Sequence, residues 1–124
     1  MADTAPSDRE LDILKILWKL GEVPVRDVHQ ALCEHGECAF TTVQTLLRIM
    51  AGKGLVSQRA KGRTLYFKPK YTAKQAASRF LHKVFDGSID QLVLSMLQAE
   101  KTSAEELRQL ERMIGDARRK LQKP

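Results

Sequence analysis

Four capping boxes, each a Ser or Thr followed three positions later by Glu or Gln, punctuate the chain ahead of apolar stripes: Ser7/Glu10, Thr72/Gln75, Ser88/Gln91 and Ser103/Glu106. In such a pair the hydroxyl accepts the backbone N–H three residues on, and the acid or amide accepts the N–H of the hydroxyl residue. Each pair therefore marks the start of a helix. The first predicted helix runs from about Asp8 to Leu20, turns Leu11, Leu14, Leu17 and Trp18 toward a core, and stops at Gly21. Beyond Thr72 the chain reads as helical, with helices near 73–86, 89–98 and 104–121 and a break at Asp86 and Gly87. Three apolar stripes follow this map: Ala73, Ala76, Ala77, Phe80, Leu81, Val84 and Phe85; then Ile89, Leu92, Val93, Met96 and Leu97; then Leu107, Leu110, Ile114, Ala117 and Leu121 at heptad spacing.

Between the first and second pairs the pattern changes. Val23 and Pro24 form a short extended link, because a residue before proline is pushed out of the helical region. A short helix carries Val25, Val28 and Leu32, and Glu34–Glu37, with Gly36 inside, reads as a turn. The next helix covers about Phe40 to Lys53. Val43, Leu46, Leu47 and Met50 make one apolar face, and Thr41, Gln44, Thr45 and Arg48 make a polar face at the same spacing. Thr41/Gln44 also fits a capping box, which would place those first amides where a phosphate could bind. Leu55–Ala60 and Arg63–Pro69 read as two strands around a Lys61-Gly62 turn, with Leu65 and Phe67 alternating against Thr64, Tyr66 and Lys68.

Charge gives this order a purpose. From Cys38 to Phe85 there is no Asp or Glu, yet Arg48, Lys53, Arg59, Lys61, Arg63, Lys68, Lys70, Lys74, Arg79 and Lys83 all fall there. The formal net charge of +6 is modest, so the local distribution says more than the sum. A folded, acid-free surface is the electrostatic footprint of a protein that sits on phosphate backbone. Three short helices followed by a two-stranded ribbon describe a winged helix-turn-helix: mainly α with a small β-ribbon, plus a C-terminal helical dimerisation region. In that layout Thr41, Thr42, Gln44, Thr45 and Arg48 are candidates to read the major groove of double-stranded DNA. Arg59, Lys61 and Arg63 cluster at the wing tip, where they would meet phosphate or the minor groove.

The expected division is a DNA-binding domain over residues 1–71 and a dimerisation region over 72–124. Three amphipathic helices in so short a stretch cannot bury their stripes alone, and Phe80, Leu81, Val84, Phe85, Leu92, Val93, Met96, Leu107, Leu110 and Ile114 are the candidate contacts of a homodimer. No apolar run approaches the roughly 20 residues that span a bilayer, and the polar start MADTAPSDRE is not a signal peptide. A cytoplasmic protein without stable membrane association is expected, with Cys33 and Cys38 as free thiols. His29, Cys33, His35 and Cys38 lie close in sequence but fit no standard zinc knuckle, so no metal and no cofactor is expected. A metal- or redox-responsive regulator using those four residues is kept as an alternative, as is a winged-helix protein-interaction module. No nucleophile–base motif or phosphate-cradling glycine loop is present, which argues against an enzyme.

Phe40 to Met50 (FTTVQTLLRIM), Lys53 to Val56 (KGLV) and Gly62 to Phe67 (GRTLYF) resemble the penicillinase-repressor family of the BlaI/MecI type. The likeness extends to Phe85–Leu94 (FDGSIDQLVL) and Thr102–Leu110 (TSAEELRQL), covering roughly residues 7–115. It implies a dimeric repressor of a β-lactam-response or related operon, released when a membrane metalloprotease receptor system triggers cleavage in the dimerisation region. In such relatives the cut bond is Asn-Phe in a Leu-Val-Leu-Asn-Phe context. Here the corresponding stretch is Leu92 to Met96, so the frame matches but the bond would be Ser95–Met96. Copper-responsive relatives carry Cys-x-Cys pairs near the C-terminus, and this chain has none.

Overall fold

A computed structural model describes residues 5–34 and 38–122. Its elements run α1 (Asp8–Leu20), β1 (Val23–Pro24), α2 (Val25–Leu32), α3 (Phe40–Lys53), β2 (Val56–Lys61), β3 (Thr64–Pro69), α4 (Ala73–Phe85), α5 (Ile89–Ala99) and α6 (Ala104–Gln122). Three of the four capping boxes close reciprocally. The Ser7 amide donates to Glu10 Oε1 at 2.9 Å and the Glu10 amide to Ser7 Oγ at 3.3 Å, and Thr72/Gln75 and Ser103/Glu106 repeat the exchange. Ser88 accepts the Gln91 amide at 3.4 Å but turns its hydroxyl to Asp90 Oδ1 at 2.5 Å.

The chain divides into two compact units, Met1–Ser78 and Arg79–Pro124. The first unit has one apolar core. α1 supplies Ile13, Leu14 and Leu17, α2 Val25 and Val28, α3 Val43, Leu47 and Met50, and Leu55, Val56 and Phe67 complete it. Each large apolar side chain buried this fully contributes about 1.5–3 kcal/mol relative to exposure. The α1 stripe is rotated from its expected position: Ile13 is fully buried, whereas Leu11 and Trp18 are only half-buried. Trp18 sits at the core margin because its indole N–H needs a polar partner, and it donates to the Tyr71 carbonyl at 2.9 Å.

The sheet has three strands in the order β1-β3-β2, all antiparallel. The segment read as a plain link at Val23 and Pro24 is the third strand, with Val23 opposite Phe67 and Pro24 opposite Tyr66. Pro24 lacks an N–H, so it suits an edge strand that ends at once. The hairpin turn is Gly62-Arg63 rather than Lys61-Gly62, since Lys61 pairs with Thr64. Gly62 takes φ 64°, and a two-residue hairpin that needs positive φ at its first central position selects glycine there. The alternation expected of β3 holds at Phe67, which is buried, but Leu65 near the tip is exposed.

The cysteines, expected as free thiols, are joined as a disulfide. Cys33 caps the end of α2, Cys38 immediately precedes the N-cap residue of α3, and their Cα atoms are 5.8 Å apart. The two helix ends lie close together, which spacing along the sequence did not reveal. His35, grouped with them from the sequence, and most of the expected 34–37 turn lie outside the described residues.

In the second unit Asp86 (φ 51°) and Gly87 (φ 86°) break the chain between α4 and α5. None of the described residues of α4, α5 or α6 is buried. Phe80, Val84 and Ile114 are each about half exposed, at 50%, 54% and 52%. Among the described residues no helix is long and apolar enough to cross a membrane.

One ion pair joins the two ends of the helical layer. Glu10, buried to 2% exposure, accepts the Lys53 ammonium on both carboxylate oxygens, at 2.8 and 3.1 Å. Burial alone raises the Glu10 carboxyl pKa, but the Lys53 ammonium, the Ser7 amide and the Ser7 hydroxyl together hold it below its ordinary 4.5. A depressed carboxylate stabilises the fold above its unfolded pKa, and that stability is lost as pH falls through the folded value. Lys53→Met should therefore lower stability at pH 7 by roughly 2 kcal/mol, less than for a fully buried pair because Lys53 is partly solvated. In urea titrations the gap between wild type and variant should close as pH drops below 4.5.

Candidate nucleic-acid interface

α3 has two opposed faces because its apolar and polar residues repeat at the same helical spacing. Val43, Leu47 and Met50 are fully buried against the core, while Thr41, Thr42, Thr45 and Arg48 are exposed and Gln44 is half-buried. The N-cap is Ala39, which makes no side-chain cap. Thr41 is the second residue of the helix, so the capping box with Gln44 does not form and its side chain belongs to the exposed face. Gly54 ends α3 at φ 81°, its N–H bonded to the carbonyls of Met50 and Ala51, and the Leu55 amide bonds Met50 as well. The core face thus fixes the rotation of the helix, and Gly54 turns the chain directly into the hairpin.

Between α3 and the hairpin lies an open groove of about 390 Å³. Gln44 and Arg48 line it from α3, Arg63, Thr64 and Tyr66 from the hairpin, and Arg26 from α2. No carboxylate lines it, so three guanidinium groups face one concavity without an internal counter-charge. Such a surface favours an anion, and guanidinium can bind phosphate through two parallel N–H donors. Arg26 was not among the residues singled out from the sequence. It lies outside the acid-free tract, beside Asp27, and only the turn of α2 onto the Val25 and Val28 face directs it to the groove.

The wing residues do not behave alike. Lys61 and Arg63 flank Gly62 at the exposed tip. Arg59 is lower in β2, opposite Tyr66, and its Nη2 donates to Glu22 Oε1 at 2.5 Å. That pair is solvent-exposed on the Arg side, with 63% of the Arg59 side chain accessible, so it is weak and open to exchange with another anion. Lys53, also part of the acid-free tract, is directed away from any such role by Glu10. Beside the start of α3, the ligand atoms of His29, Cys33 and Cys38 lie within 4.8 Å of one another. His29 Nε2 is 2.9 Å from the Cys38 carbonyl oxygen, and its ring meets Phe40 edge-on.

A helix-turn-helix packed against a three-stranded sheet, with its third helix exposed beside a basic hairpin, is a winged helix-turn-helix. A solved MarR family protein from Bacillus stearothermophilus shares this fold. It has a TM-score of 0.50 and 19% identity, and the match covers 95% of this chain and 76% of that one. Residues 6–116 match the penicillinase repressor family, and the chain belongs to it. It is 25% identical over 112 residues to the penicillinase repressor of Bacillus licheniformis, covering 87% of this chain and 88% of that protein. It is 24% identical over 116 residues to the penicillinase repressor of Staphylococcus aureus, covering 90% and 91%.

The wing turn offers a direct check. No atom lies within 4 Å of where a Cβ on Gly62 would be, so Gly62→Ala meets only the strain of positive φ. It should cost about 1 kcal/mol, read as a lower midpoint in thermal or urea unfolding, with the helical signal of the folded state unchanged.

Proposed function

We propose that the chain is a non-enzymatic, DNA-binding transcriptional repressor that acts as a homodimer on a palindromic operator. The observation that carries this reading is the pair of opposed faces on α3. One is locked into the core, and the other presents Thr41, Thr42, Gln44, Thr45 and Arg48 beside an acid-free groove. A helix held in that way can enter the major groove with fixed rotation. Arg48 forks onto a guanine edge, Gln44 pairs with an adenine edge, and the threonine methyls meet thymine. Lys61 and Arg63 grip backbone at the wing tip, and Arg59 joins them by exchanging Glu22 for phosphate.

Dimerisation is supported by the exposure of the tail. Phe80, Leu81, Val84, Phe85, Leu92, Val93, Met96, Leu107, Leu110 and Ile114 are exposed or only half-buried in the single chain, which leaves their stripes to be covered by a second copy. Residues 72–124 form this dimerisation region and residues 1–71 the reading domain. The similarity to named penicillinase repressors supports a β-lactam-response or related operon as the target, and a membrane metalloprotease receptor system as the source of release. Cleavage at Ser95–Met96 would cut α5 in the middle of its apolar stripe. With the dimer lost, each half-site retains only part of the binding energy, and the promoter is freed.

Selection from a random pool of duplexes should return one palindrome bound far more tightly than the pool, with affinity falling steeply as salt rises. Equal binding to every duplex, with an acidic polypeptide competing as well as DNA, would favour the protein-interaction reading instead. Arg48→Ala should relax preference at a single base position by roughly 1–3 kcal/mol, whereas Lys61→Ala should weaken all duplexes alike. An unchanged ranking of duplexes by Arg48→Ala would remove Arg48 from the reading set.

A further inference from the structure

We propose that Cys33 and Cys38 form a reversible redox site whose oxidation state sets operator affinity, with a small-molecule disulfide as the oxidant. The inference rests on the DNA-binding reading above and adds to it a modification site between the end of α2 and the start of α3.

Position is the first reason. Cys33 is the C-cap of α2, and its amide donates to the His29 carbonyl at 2.9 Å. Cys38 immediately precedes Ala39, the N-cap of α3, so the sulfur bridge clamps the end of one helix to the start of the next. Thr41, Thr42, Gln44 and Thr45 follow within the first two turns of α3. Without the bridge, Cys38 is held beside α2 by the His29 Nε2 approach to its carbonyl, the His29–Phe40 ring contact and packing of the cysteine side chains against the core margin, none of them covalent. A helix start held by such contacts alone frays more readily than one also held by a covalent bond.

Access is the second reason. Both cysteines are only partly buried, packed against the margin of the core without entering its fully buried cluster. A small disulfide can therefore reach them. A ring nitrogen of His29 lies within 4.8 Å of both sulfurs.

The chemistry balances without any other reagent. The thiolate of Cys38 attacks one sulfur of R–S–S–R, the S–S bond breaks, and one RS⁻ leaves. The thiolate of Cys33 then attacks the Cys38 sulfur of the mixed disulfide, forming the internal bond and releasing the second RS⁻. The two leaving thiolates take up the two protons given by the cysteines, so two electrons pass from the protein to the reagent and two R–SH result. Excess thiol reverses the sequence.

The bridge fixes the start of α3 against the end of α2; once it is reduced, that first turn, with Thr41 and Thr42, is held in place for only part of the time, while Val43, Leu47 and Met50 keep the body of the helix in the core. Apparent affinity falls in proportion to that fraction. The test uses the full chain and the palindrome returned by duplex selection, with oxidised glutathione and dithiothreitol setting the two states. Mass spectrometry confirms conversion by the gain or loss of two hydrogen atoms. Affinity about tenfold lower in the reduced state is expected. The double variant Cys33→Ser, Cys38→Ser should bind like the reduced chain and ignore both reagents. Equal affinity of the two wild-type states, with conversion confirmed, would overturn the proposal, and this needs no variant to fold. It would also be overturned if the reduced chain took up zinc and thereby regained full affinity, which would make His29, Cys33 and Cys38 a metal site. Loss of preference for any duplex in both states would instead defeat the DNA-binding reading, so the two failures are distinct.

Discussion

The buried carboxylate of Glu10 closes the reading domain on itself. It completes the cap of α1 through Ser7 and accepts the ammonium of Lys53 from the last turn of α3. One acidic group thus ties the beginning of the first helix to the end of the third, across the core that Ile13, Leu17, Leu47 and Met50 fill. Its charge is tolerable there only because it accepts an ammonium and two Ser7 donors. The core fixes which face of α3 is inward, and the Glu10–Lys53 pair fixes where along its axis the helix sits. The exposed threonines, Gln44 and Arg48 inherit both constraints.

The helices were legible in the sequence because their ends are written in side chains. Serine and threonine caps start three of them as reciprocal boxes, Gly21 and Gly54 stop two, and the Asp86-Gly87 break separates α4 from α5. The two faces of α3 were legible for a similar reason, since periodicity of 3.6 residues is a local property. What depended on contacts between distant segments was not legible. A strand of two residues carries no period, so the pairing of Val23 with Phe67 left no trace. The groove position of Arg26 and the closeness of Cys33 to Cys38 both follow from how α2 packs and turns.

Charge was misleading in one instructive way. An acid-free tract from Cys38 to Phe85 suggests that all its cations face outward to a common partner. Among the described contacts, Lys53 pairs with Glu10 and Arg59 with Glu22, carboxylates that lie outside the tract. The first partnership is structural and the second sits on the surface. Counting basic residues along a sequence therefore overstates the number that can neutralise phosphate, and the groove lined by Arg26, Arg48 and Arg63 is the better guide.

The Arg59–Glu22 pair has a consequence for how such a surface responds to its medium. Glu22 is an anion tethered beside a cation of the wing, and any phosphate that engages Arg59 must displace it. Dissolved ions screen the incoming phosphate and the resident carboxylate together. On the DNA-binding reading the two losses would offset each other at this one position, so Arg59 would add less to the salt sensitivity of an encounter than Lys61 or Arg63 at the tip. On the DNA-binding reading the wing would be graded, with ionic strength governing its outer end and competition within the protein governing its base.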